Sequence, residues 1–149
     1  NALHLFGLPR RIFALGGKLS QLEINVEDTA SVLMECEHEG KILPVTLLTD
    51  FLQSPPVRNC TIVGENGRIF LDLIDSNASL TKRETGKTEF HDYKGFKRNQ
   101  LFMDELQYFL QAISEKTAPI INIKTGLESL RMALAARKSI ETGEPVELQ

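Results

Sequence analysis

The spacing of apolar residues changes once along the chain, and that change constrains the fold class more than any other feature. As far as Tyr93 the chain reads as short strands separated by turns; from Asn99 apolar residues recur every third or fourth position. The clearest strand is Asp28 to Glu37. Ala30, Val32, Met34 and Cys36 point one way, Thr29, Ser31, Glu35 and Glu37 the other, and only Leu33 breaks the alternation. Arg11 to Leu15 reads as a strand ending at a Gly16-Gly17 turn. Lys41 to Phe51 reads as another, apolar on both faces at Val45, Leu47, Leu48 and Phe51, with Pro44 predicting a break or bulge. Arg58 to Val63 and Arg68 to Ile74 flank Gly64-Glu65-Asn66-Gly67, a hairpin signal. Ala78 to Glu84 and Lys87 to Tyr93 are poorer in apolar residues and predict an edge hairpin.

Two helices follow. In the first, Asn99 is the expected N-cap, and Phe102, Leu106, Phe109, Leu110 and Ile113 share one face. In the second, Thr125-Gly126-Leu127-Glu128 reads as a capping box, Leu127, Leu130, Leu134, Ala133, Ala135 and Ala136 follow, and Gly143 with Pro145 ends the helix before a last short strand. The expected architecture is α+β in two layers: a largely antiparallel sheet with helices on one face and the other face open. Val45, Leu47, Leu48, Phe51, Ile62, Val63, Ile69, Phe70, Leu71 and Ile74 cannot all face the helices, so the open face is expected to meet another domain or another copy of the chain.

A chain of 149 residues, 42% apolar and 25% charged, can form one domain spanning residues 1–149 without a metal or disulfide staple. Its net charge of −3 argues against a nucleic-acid partner, and no apolar run is long enough to cross a membrane. The first residues carry no secretory signal, so the expected compartment is the cytoplasm. Leu3 to Pro9 reads as the end of an apolar helix with Gly7 as its stop and Pro9 beyond it, which predicts a domain excised from a longer protein. Cys36 and Cys60 have no metal-ligand spacing; buried free thiols are the expectation, with a disulfide between them the alternative.

The chain has no phosphate-binding glycine loop, nucleophile elbow or metal-binding helix motif, so no catalytic, cofactor-binding or metal-ligating residue is assigned. The stretch Tyr93-Lys94-Gly95-Phe96-Lys97-Arg98-Asn99 gathers cations just before a helix N-terminus, a place that favours anions. Lys97, Arg98 and Asn99, then Tyr93, are the candidate contacts for a small-molecule substrate.

Several segments together resemble the C-terminal domain of the Gfo/Idh/MocA (glucose–fructose oxidoreductase, inositol dehydrogenase, rhizopine catabolism) family. They are Leu5-Phe6-Gly7, Val26-Glu27-Asp28-Thr29-Ala30, the hairpin from Ile62 to Ile69, the helix from Asn99 with Phe102, Glu105-Leu106 and Phe109, and Thr125 to Val146. The resemblance implies a parent oxidoreductase that moves a hydride between NAD or NADP and a sugar, cyclitol or related substrate. It also implies an N-terminal Rossmann domain, absent here, and homo-oligomer contacts through the open sheet. The family's Glu-Lys-Pro and Asp-x-x-x-His motifs are missing from this sequence, which predicts a fragment inactive by itself. Two other readings are open: a non-catalytic binding or assembly module sharing the fold, and an α+β enzyme acting through His91, Asp92 and Tyr93.

Overall fold

The computed structural model describes residues 2–93 and 95–148. The fold is α+β, and its strands divide between two four-stranded antiparallel sheets, where sequence patterning suggests one. The chain forms two compact units, residues 1–52 with 120–149 and residues 53–119.

In the first unit, β1 (Arg11–Gly17), β2 (Thr29–His38), β3 (Lys41–Asp50) and β8 (Val146–Glu147) lie in the order β3-β2-β1-β8. The alternation in β2 is realised as expected: Val32, Met34 and Cys36 are buried, with Ile12, Ala14 and Ala135, in the core. The short helix α1 (Ala2–Phe6) stops at Gly7, whose φ of 75° suits glycine, and Ala2 and Phe6 pack on this core. Helix α3 (Ile123–Thr142) lies against β1 and buries Met132, Ala135, Ala136, Ser139 and Ile140 at least in part. Their spacing defines one helical stripe. Leu127, Leu130 and Leu134, the larger apolar residues prominent in the sequence, form a different stripe and are exposed. The small residues win the sheet-facing positions because they let the helix axis come close to β1.

Three local expectations are corrected. Gly16 and Gly17 do not turn the chain; they continue β1 opposite Ala30 and Thr29. A Cβ on Gly16 would stand 2.2 Å from the Thr29 carbonyl oxygen, so this glycine serves close strand approach. Pro44 does not interrupt β3, which pairs with β2 in unbroken register from Lys41 to Asp50. The Phe51 N–H donates inward to Asp28, so by alternation position 44 faces outward along the sheet edge, where no donor is needed. The N-cap of α3 is Asn122, whose side chain accepts from the Lys124 and Thr125 N–H groups; Thr125 is already inside the helix. Gly143 caps the other end with φ 72°, as expected.

Two buried polar groups tie this unit together. The β1–β8 pairing ends at Ile12, and two residues further on the Ala14 N–H donates to the Ser139 hydroxyl at 2.9 Å. Both residues are fully buried. Asp28, also buried, accepts from the Leu19 and Ser20 N–H groups and from the Ser20 hydroxyl. Its own backbone joins Gly17 of β1 to Phe51 beyond β3.

The second unit holds β4 (Asn59–Gly64), β5 (Gly67–Asp72), β6 (Asn77–Lys82) and β7 (Thr88–Asp92) in sequential order, followed by α2 (Arg98–Glu115). Glu65 and Asn66 form the hairpin turn, and Gly67 already belongs to β5. Of the expected edge hairpin only β7 is an edge; β6 is paired on both sides. In α2 only Ala112 is buried, while Phe102, Leu106, Phe109, Leu110 and Ile113 are exposed. Cys36 is a buried free thiol in the first unit and Cys60 a half-buried free thiol in the second.

Removing the Ser139 hydroxyl orphans a buried N–H. Ser139→Ala is expected to destabilise the first unit by about 1–3 kcal/mol, read as a lower urea midpoint with an unchanged m-value. Asp28 makes a pH-dependent contribution. The Ser20 hydroxyl, then the Leu19 N–H, hold its pKa down to about 2 against an ordinary 3.8. A carboxylate depressed in the folded state stabilises it above the unfolded pKa, and that stability is lost as pH falls toward the folded value. The Tm difference between the native chain and Asp28→Asn is therefore expected to be steady near neutrality and to close between roughly pH 4 and pH 2.

Candidate functional site

The residues marked out by sequence lie at the end of the second unit's sheet and at the start of α2. Antiparallel pairing sets Asn59, Asp72, Asn77 and Asp92 opposite one another, one from each strand. Paired residues share a face of the sheet, so this row brings two amides and two carboxylates to one side. Asp72 is committed locally: its Oδ1 accepts from the Ile74 and Asp75 N–H groups, which fixes the β5–β6 turn. Ser76 closes that turn with a left-handed φ of 54°. Its carbonyl accepts from the Tyr93 N–H at 3.0 Å, and the Tyr93 carbonyl accepts from Phe96 at 2.8 Å. These bonds hold the segment after β7 beside the turn.

Between them lies an open groove of about 650 Å³ lined by Ile74, Asp75, Ser76, Asn77, Phe90, Asp92, Tyr93 and Phe96. Three aromatic side chains supply apolar surface, and Asn77, Ser76 and the carboxylates supply hydrogen-bonding groups. Such a lining can hold a small polar molecule by ring contact and hydroxyl bonding.

Of the four candidate contacts, Tyr93 alone lines this groove. Lys97, Arg98 and Asn99 are exposed at the start of α2. Lys94, within the same stretch, lies outside the described residues. The expected role of Asn99 as N-cap is corrected: the cap is Lys97, with no side-chain capping bond, and Asn99 is already helical. The first turn of α2 has no acidic residue to complement its dipole, and its cationic side chains reinforce the positive end. Asp75, Asn77 and Phe90 were not singled out by sequence. The register that brings Asn77 opposite Asp92 is the signal that could have found them.

His91, Asp92 and Tyr93 do not form one constellation. His91 pairs with Ala78 and therefore sits on the opposite side of β7 from Asp92, which pairs with Asn77. His91 does not line the groove. Among the described residues no group of three or more His, Cys, Asp or Glu side chains could hold a metal ion.

Gly64 and Gly67 join strand to strand, and Gly95 is a lone glycine between β7 and α2, so the described residues hold no glycine-rich strand-to-helix turn of the dinucleotide-binding kind.

Residues 2–148 match the Gfo/Idh/MocA oxidoreductase family, C-terminal alpha/beta domain, and the chain belongs to that family. Solved structures share the fold at low identity. An oxidoreductase from Agrobacterium radiobacter, in complex with NAD+, L-tartaric acid and magnesium, superposes with a TM-score of 0.77 at 15% identity over 98% of this chain and 45% of its own. The UDP-N-acetylglucosamine 3-dehydrogenase of Acidithiobacillus ferrooxidans gives 0.75 at 23% identity over 93% of this chain and 43% of its own. The WlbA dehydrogenase of Bordetella pertussis, in complex with NADH and UDP-GlcNAcA, gives 0.71 at 18% identity over 99% and 42%. The chain thus spans less than half the length of these proteins. No curated protein matches the sequence. No helix among the described residues is long and apolar enough to cross a membrane.

Proposed function

We propose that residues 1–149 form the substrate-binding and oligomerisation domain of a cytoplasmic NAD- or NADP-dependent oxidoreductase acting on a sugar, cyclitol or related substrate. The observation that carries this reading is the family match over residues 2–148. The neighbours' nicotinamide and sugar-nucleotide ligands support it. The hydride and its nucleotide carrier belong to an N-terminal Rossmann domain outside this chain, so the 149 residues bind and position substrate without turning it over.

Two surfaces serve this role. Tyr93 and the groove hold the hydroxylated body of the substrate, and Lys97, Arg98 and Asn99 receive a negatively charged group at the N-terminus of α2. The neighbours' ligands L-tartaric acid and UDP-GlcNAcA, both anions, are consistent with such a cationic end. The second surface is the side of the first sheet turned away from α3. There Leu15 and Leu48 flank Ser31, and Phe13 and Leu33 lie in the next row. Leu15 is 60% and Leu48 65% exposed. The charges beside them, Arg11 and Glu35, already neutralise each other in an ion pair. An apolar sheet face with its charges paired is suited to a second copy of the chain.

For the parent enzyme acting on an anionic sugar, Arg98→Ala is expected to raise KM by about tenfold, the loss of one hydrogen bond to a charged group, with the uncharged analogue unaffected. An equal effect on both substrates would remove Arg98 from the anion contact. Leu48→Asp is expected to convert an oligomer to monomer by sedimentation while leaving the circular dichroism spectrum intact; an unchanged mass would place the interface elsewhere.

A further inference from the structure

We draw no further inference here: the strongest candidate, the exposed apolar stripe of α3 formed by Ile123, Leu127, Leu130 and Leu134, is an unpartnered helix face, and nothing in the structure shows what covers it.

Discussion

The first unit depends on how closely α3 can approach β1. Strand β1 pairs with β2 along its whole length but with β8 over only two residues, so one of its edges would otherwise carry unpaired polar groups. Ser139 supplies the missing acceptor to Ala14, and it can do so because Ala135 and Ala136 keep the helix near the strand. Burial of Ile12 and Met34 then follows from the same contact. A larger residue at 135 would push the hydroxyl out of reach, so packing and hydrogen bonding here are one constraint.

Asp28 does comparable work at the other end of the sheet. One carboxylate gathers the Leu19–Ser20 loop, and its peptide group bridges the ends of β1 and β3. Buried carboxylates are costly unless fully satisfied. This one accepts three hydrogen bonds, and Lys18 nearby lowers its pKa further. One polar side chain thereby pairs the free edge of β1 and another ties the strand ends near Gly17 and Phe51.

Much of this was legible in the residues. The alternation from Ala30 to Cys36 names the buried face of β2, and Gly143 with Pro145 names the end of α3. The Gly64–Gly67 stretch marks a hairpin, although its frame starts β5 one residue earlier than a simple Asn-Gly turn suggests. What was not legible depends on distance in sequence. Ser139 meets Ala14 across 125 residues, and no local pattern marks that pair. Asn122 outcompetes Thr125 as a cap because the helix begins three residues earlier than the capping-box pattern implies. The division into two sheets is a matter of which strands pair, and apolar spacing within a strand does not report it. The groove has the same origin: cationic residues drew attention to Lys97 and Arg98, but pairing register assembled Asn77, Asp92 and Phe90 beside Tyr93.

One unit presents a polar, aromatic groove and a cationic helix start, and the other an exposed sheet face carrying Leu15, Leu33 and Leu48. The proposed oligomer contact rests on the second feature and the proposed substrate contact on the first. The proposed activity assigns the hydride transfer to a nucleotide-binding half. The most direct test is to read the coding sequence immediately upstream of residue 1 in the parent gene. The account predicts a strand–G-x-G-x-x-G–helix unit followed by Glu-Lys-Pro. An upstream region without a dinucleotide-binding unit would contradict it and leave the domain a binding or assembly module.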